Sequence, residues 1–294
     1  MSIKPLKLNT KDEFTFPKHP DLAPRNGTFF TNITIGSRGM GKTYVNTQLM
    51  ENLKPYYDKF VVISPSLDSD AKQKRFYEQL EREGKDVYIH DELDDSTIDD
   101  VIQEIKDDIT EWRKYHKLYW IIDKIKKRGI DSLSTEELGI IGEYLMDEDD
   151  DFKLDDILAE FPKYYKPEYP PRTYLVIDDS FGSRMLENSR NNPLQRFWIR
   201  HRHHYTSISL LVQAFANIPR SLRSNAVLII AFPTKSIKDK KVLYEELSGV
   251  FDSYEHFEEV MKLVASKDYS FLYADTSSMK SPDLRNGFTD KLNI

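Results

Sequence analysis

Apolar residues fall into two rhythms along this chain. In the first, short runs rich in β-branched and aromatic residues stand almost unbroken, at 29–35, 59–65, 86–90, 172–178, 207–213, 225–232 and 269–274. Runs of that length without polar alternation are what parallel strands covered on both faces require. In the second, apolar residues return every three or four positions. Val45, Leu49 and Leu53 do so until Pro55, and 70–83 does so up to Gly84. No Gly or Pro interrupts 85–128, where Ile98, Val101, Ile105, Ile109 and Trp112 predict a long helix. Ser96 is its expected N-cap, with Asp99 three residues on in a capping-box-like arrangement. Ser134-Thr-Glu-Glu137 forms a further capping box ahead of Leu138, Ile141, Tyr144 and Leu145. Helices are also expected at 193–203, with Phe197 and Trp198 turned to the sheet, at 238–247 and at 254–265.

These elements predict an α/β fold with a mainly parallel sheet, and the stretch of about 115–170 reads as a helical insertion on it. Residues 1–28 carry Pro5, Pro17, Pro20 and Pro24 with little periodicity and read as an extended arm. The main domain is expected over 29–275, and 276–294 reads as a polar tail; Met146 to Asp151 reads as a solvated loop. There is no internal repeat.

A chain of 294 residues can bury a sizeable core as one domain, or as one domain with an insertion. The absence of cysteine excludes disulfides, thiolate metal sites and a cysteine nucleophile, and fits a reducing compartment. No apolar run approaches the roughly 18–20 residues that span a bilayer, and the first residues lack a signal-peptide core. The expectation is a soluble intracellular protein with no stable membrane insertion. A formal net charge of −7 argues against general adhesion to nucleic acid. Any DNA contact has to come from a local basic patch or from a ring of subunits.

Candidate chemistry begins where the first apolar run empties into Gly36-Ser-Arg-Gly-Met-Gly-Lys-Thr43, followed by Tyr44 and a helical pattern. This is a complete P-loop. Gly36, Gly39 and Gly41 let the backbone wrap a polyphosphate, and the N–H groups of Ser37, Arg38, Met40 and the first helical residues turn inward at the positive end of a helix. Lys42 is expected to reach the β- and γ-phosphates of a nucleotide, and the Thr43 hydroxyl to ligate Mg²⁺.

The stretch Arg172-Thr-Tyr-Leu-Val-Ile-Asp-Asp-Ser180 is a hydrophobic strand ending in two carboxylates, Asp178 and Asp179. At the Walker B position the first holds the Mg²⁺ shell opposite Thr43 and the second polarises the attacking water. Asp is one methylene shorter than the more usual Glu at the second place. Gln213 closes another strand at the end of the sheet where ligands bind in such folds, placed to sense a γ-phosphate. Between these, Arg184, Arg190, Arg196, Arg200 and Arg202 stand against the single acid Glu187, a local reversal of charge in an acidic protein. It reads as a surface helix, as an arginine finger for a neighbouring subunit, or as phosphate contacts on DNA. His201, His203 and His204 lack i, i+4 spacing and make a poor metal set. The acids Asp91, Glu92, Asp94, Asp95, Asp99 and Asp100 suit a helix N-terminus without a metal.

The order of these blocks resembles the FtsK/HerA superfamily of DNA translocases, and within it the genome-packaging ATPases of poxviruses, other large DNA viruses and virophages. The resemblance is carried by Gly36 to Thr43, Phe60-Val-Val-Ile-Ser-Pro65, Leu175-Val-Ile-Asp-Asp179, Arg200-His-Arg-His-His204 before Gln213, Ile218-Pro-Arg-Ser-Leu-Arg-Ser-Asn-Ala226, and Tyr269-Ser-Phe-Leu-Tyr273. The stretch of about 115–170 is longer than that family leads one to expect. What the resemblance implies is a RecA-like core with strand order 5-1-4-3-2 and a homo-oligomeric ring of five or six subunits. It further implies ATP hydrolysis with Mg²⁺ and movement of double-stranded DNA into a capsid, with capsid proteins as further partners and the host cytoplasm or virion as location. By the same likeness Arg202 or Arg200 acts in trans, with Arg220 and Arg223 as competitors. A nucleotide-dependent switch or assembly ATPase and a plasmid or cellular DNA-transfer ATPase are the rival readings.

Overall fold

In the computed structural model the described residues are 14–17, 21–24, 29–67, 71–145, 154–178, 186, 192–278 and 282–292. The loop 146–151, Asp179, Arg184, Glu187, Arg190 and most of the arm 1–28 lie outside them. The chain divides into two compact units, Met1–Lys18 with Arg113–Pro170 and His19–Trp112 with Pro171–Ile294.

The second unit is built on a nine-stranded sheet of β1 (Thr31–Ile35), β2 (Lys59–Ile63), β3 (Asp86–His90), β4 (Thr173–Ile177), β5 (Thr206–Val212), β6 (Leu228–Ala231), β7 (Leu272–Asp275), β8 (Asp283–Asn286) and β9 (Asp290–Lys291). Their order is β3-β2-β4-β5-β1-β6-β7-β8-β9, parallel through β6 and antiparallel beyond it. The class is the mainly parallel α/β fold that the apolar runs predict. The order differs in detail from 5-1-4-3-2: β6, β1, β5, β4 and β2 lie in that sequence, but β3 is added outside β2 and three antiparallel strands outside β6. Strands β8 and β9 come from the stretch read as a polar end, because runs of four and two residues are too short to show a period.

Every residue of β1, β2, β4, β5 and β6 is buried, the consequence of helices on both faces, among them α2 (Ala71–Arg82), α7 (Arg220–Arg223) and α8 (Ile237–Glu246). One face presents Ile33, Ile35, Val61, Ile63, Leu175, Ile177, Ile208 and Leu210. These join one core with Ile98, Val101, Ile105 and Ile109 of α3 (Asp95–Arg128), Leu194, Phe197 and Trp198 of α6 (Pro193–Arg200), and Phe257, Val260 and Val264 of α9 (Tyr254–Val264). The alternate positions Asn32 and Thr34 of β1 and Ser207 and Ser209 of β5 are polar. Asn32 Nδ2 donates to Ser209 Oγ at 2.6 Å, and Ser209 Oγ donates to Asn46 Oδ1 at 2.7 Å. Asn46 belongs to α1 (Lys42–Leu53), so a buried relay of hydrogen bonds fixes that helix against β1 and β5.

Charges at the amino ends of the strands are paired. Arg172 Nε and Nη2 donate to the two carboxylate oxygens of Asp58 at 2.9 and 3.0 Å, and the guanidinium lies 4.6 Å from the centre of the Tyr56 ring. Buried Lys59 donates to Glu104 of α3 at 2.8 Å. The start of α3 differs from expectation: Asp94, not Ser96, is the acceptor, taking hydrogen bonds from Thr97 N–H at 2.7 Å and from the Ser96 hydroxyl at 2.8 Å. A carboxylate two residues earlier outcompetes a hydroxyl because it accepts both donors at once, and the Thr97 N–H foremost holds its pKa below the usual value.

The other unit is helical. The last part of α3, α4 (Thr135–Leu145) and α5 (Leu154–Ala159) enclose Leu118, Ile121, Ile122, Leu133, Ile141 and Ile157. Tyr115 contacts the rings of Tyr119, Phe161 and Tyr165. Helix α3 ends at Gly129, whose φ of 78° an L-residue rarely adopts. The capping box of α4 is formed as expected, with Glu137 N–H donating to Ser134 Oγ at 3.2 Å and Ser134 N–H to Glu137 Oε2 at 2.7 Å. Among the described residues no helix is long and apolar enough to cross a membrane.

Candidate nucleotide-binding site

Strand β1 delivers the chain to Gly36, whose N–H donates to Val212 O at 3.1 Å. The next residues turn over on a hydrogen bond from Met40 N–H to Ser37 O at 3.3 Å and enter α1 through Gly41. Two different constraints require glycine here. Gly39 and Gly41 have φ of 80° and 94°, in the left-handed region. Gly36 is limited by space, since a Cβ there would lie 2.9 Å from Cδ2 of Phe232 at the end of β6. Gly41 also brings no capping side chain to the start of α1, which leaves the positive end of the helix to an anion. Ser37, Arg38 and Gly39 are exposed along the loop, and Tyr44 stands exposed on the first turn of α1.

The residues separated in sequence meet at the carboxyl ends of the strands. Thr43 Oγ1 donates to Asp178 Oδ2 at 2.9 Å across 135 positions of chain. Asp178 is 6% exposed and is set by its N–H, which donates to Ile63 O at 2.9 Å. A hydroxyl and a carboxylate side by side, with no nitrogen or sulfur, form the donor set that suits a hard divalent cation such as Mg²⁺. Lys42 Nζ lies over the loop, 3.4 Å from Ser37 O. Gln213 follows directly on the residue whose carbonyl receives Gly36 N–H, so its backbone lies beside the first glycine. Asp179 lies outside the described residues.

The arginines do not join this group. Helix α6 stops at Arg200, and His201–His204 form a separate 3-10 turn instead of continuing the helix expected to 203. That turn leads into the amino end of β5, where Tyr205 O accepts from Thr173 N–H at 3.1 Å. The seven residues of β5 therefore stand between Arg202 and Gln213, about 23 Å at ~3.3 Å per residue. Nearness of Arg202 to that strand in sequence is thus distance from Gln213 in space, and neither exposed arginine can serve its own chain's P-loop. Of the competitors, Arg223 is tied to Glu246 at 3.0 Å, while Arg220 is exposed. The histidines diverge: His201 is buried with Nδ1 2.7 Å from Trp198 O, and burial lowers its pKa, whereas His204 packs on the Phe197 ring.

Three residues of this region escaped the sequence reading. Asn46 carried a signal, a polar side chain beside the apolar stripe of α1. Phe232 carried none, because its role depends on β6 lying next to β1. Tyr269, read as the start of a strand, sits instead in the turn before β7.

No family model matches the sequence. Uncharacterized protein 088R of Invertebrate iridescent virus 3 is 24% identical over 131 residues, 44% of this chain and 49% of that protein, so the chain matches about half the length of this curated relative. Among solved structures the trace is similar to the genome packaging NTPase B204 of Sulfolobus turreted icosahedral virus 2 in complex with AMP, at 13% identity and a TM-score of 0.48, over 88% of this chain and 97% of that one. It is also similar to the pCW3 conjugation coupling protein TcpA, at 14% identity and a TM-score of 0.41 over 90% of this chain and 58% of that one. The cytoplasmic domain of the Thermomonospora curvata type VII secretion ATPase EccC gives 13% and 0.43 over 89% and 25%.

Proposed function

We propose that this protein is a Mg²⁺-dependent ATPase that moves double-stranded DNA, in the manner of the viral genome-packaging branch of the FtsK/HerA superfamily that its motifs resemble. The observation that carries the ATPase reading is the hydrogen bond from Thr43 to Asp178, which joins the P-loop to the end of β4. In this reading the loop from Gly36 to Thr43, with Tyr44 after it, binds the triphosphate through backbone N–H groups, and Lys42 neutralises its β- and γ-oxygens. Thr43 and Asp178 would hold Mg²⁺, which would supply neutralisation of phosphate charge. Asp179 polarises the attacking water as its base, and Gln213 senses the γ-phosphate. Lys42 works by charge alone, so its loss removes an interaction that strengthens as charge develops.

Arg200 and Arg202, exposed at the far end of the sheet, fit contacts made to another subunit. Such contacts call for a homo-oligomeric ring, and a ring also answers the net charge of −7 by gathering the basic segments of several subunits around one duplex. Capsid proteins are the natural further partners of such a ring, inside an infected cell or a virion.

The test measures ATP hydrolysis with Mg²⁺, with and without double-stranded DNA, alongside the mass in solution. Expected are turnover stimulated by DNA, abolition by Lys42→Ala, and an assembly of five or six chains. Turnover unaltered by Lys42→Ala would overturn the site assignment; turnover indifferent to DNA would leave a nucleotide-dependent switch in place of a translocase.

A further inference from the structure

The order of the strands gives a bound nucleotide a direction. Asp178 and Gln213 lie on the β5 and β4 side of β1, so a triphosphate lying in the P-loop turns its γ end that way. Its nucleoside must leave on the other side, toward β6 and β7. Strand β7 runs antiparallel to β6, with Ala231 paired to Leu272, so the chain entering β7 stands at the carboxyl end of β6, the same rim as the P-loop. That entry is the turn Lys267-Asp268-Tyr269-Ser270, closed by Ser270 N–H on Lys267 O at 3.3 Å.

Tyr269 occupies the third position of this turn with φ of 58°, a conformation suited to glycine or asparagine. It is also the most exposed large apolar side chain described, at 71%. A bulky aromatic on a left-handed backbone, turned to solvent, gains nothing from the fold that would explain it. Its surroundings hold the backbone in place: the Ser270 hydroxyl donates to Asn286 of β8, and Gly287 N–H donates to Phe271 O at 2.8 Å. From this turn the ring reaches the P-loop, since a Cβ built on Gly41 would lie 3.9 Å from Tyr269 Cδ1.

The geometry points to Tyr269 as the platform on which the base of the bound nucleotide stacks. This deepens the nucleotide-binding reading and rests on it. A π-face held by the backbone meets the base with little ordering cost, and the stack tolerates any base while favouring the larger purines. Tyr44 is the rival surface, 63% exposed on the first turn of α1, but its hydroxyl is engaged by Gln48 Nε2 at 3.2 Å and it lies on the helix itself.

The test compares ATP with inorganic tripolyphosphate by calorimetry on the full chain with Mg²⁺. Tripolyphosphate fills the P-loop and has no base. Tyr269→Ala is expected to weaken ATP by about 5- to 150-fold, the range that loss of one base stack produces, and to leave tripolyphosphate unchanged. Tyr269→Phe keeps ATP affinity. Tyr269→Gly, which adopts the turn without strain, unfolds at no lower temperature than the parent yet loses ATP affinity as the alanine variant does. ATP affinity within twofold of the parent in Tyr269→Ala overturns the platform while leaving the P-loop reading intact, and so does the full loss appearing in Tyr44→Ala instead. A parent protein that binds neither ATP nor tripolyphosphate overturns both.

Discussion

Gly36 and Gly39 stand three residues apart in the same loop, yet replacing each by alanine should fail for separable reasons. At Gly36 the backbone is ordinary and the added methyl meets Phe232, with Cδ2 at 2.9 Å and Cβ at 3.1 Å. Real Cβ atoms do not come that close, and Phe232 cannot easily yield, because it is buried and its ring packs against Phe271 with centroids 5.5 Å apart. Overpacking of this kind costs about 1–3 kcal/mol. At Gly39 nothing lies within 4 Å of the added methyl, and the penalty comes only from φ of 80°, about 1–2 kcal/mol for an L-residue. A double-mutant cycle in urea separates the two. Phe232→Ala removes Cγ and Cδ2 from the path of the methyl and leaves only Cβ, so it should recover much of the Gly36→Ala loss as a coupling of about 0.5–3 kcal/mol and recover none of the Gly39→Ala loss. The steric account is refuted if Gly36→Ala and Phe232→Ala are additive within about 0.5 kcal/mol, or if Phe232→Ala rescues both glycines alike.

Other outcomes follow from the same geometry. Asp58→Ala takes the carboxylate from the buried Arg172 guanidinium and should cost about 3–5 kcal/mol in urea unfolding, whereas replacing both residues by apolar ones should cost much less. Asn46→Ala takes the acceptor from the buried Ser209 hydroxyl and should cost about 1–3 kcal/mol, with an accompanying loss of nucleotide affinity because α1 carries the P-loop. Glu137 is held down to about 2, by the Lys124 ammonium first and then by Ser134 N–H. Its support of the α4 cap is therefore complete above the ordinary carboxylate value and lost as pH falls toward 2; amide exchange in α4 should show that dependence, and Glu137→Gln should abolish it. Mixing Arg202→Ala with Lys42→Ala subunits should restore ATP turnover if Arg202 acts in trans, and no recovery despite co-assembly would remove it from that role.

How much of this was legible beforehand depends on the range of the interactions involved. The P-loop, the strand before it and the helix after it are contiguous, and glycine at 39 and 41 answers to local backbone geometry, so their pattern alone announced them. Buried parallel strands leave the same local trace in uninterrupted apolar runs, as at Phe60 to Ile63 and Leu175 to Ile177, and the Ser134–Glu137 box needs only four residues to specify itself. What depends on which strands become neighbours was out of reach. The Thr43–Asp178 contact could be anticipated only through the motif each residue belongs to; the bond itself exists because β5 lies between β1 and β4. Phe232 governs Gly36, and Tyr269 reaches Gly41, because β6 and β7 close the other side of β1, and no periodicity in either segment encodes that adjacency. The same holds for Arg202, which precedes β5 in sequence and is separated by the length of that strand from the residue that follows it. Local pattern determined what the longer apolar segments would become and where an anion could bind; the packing of the sheet decided which side chains share that rim and which stand at its opposite end.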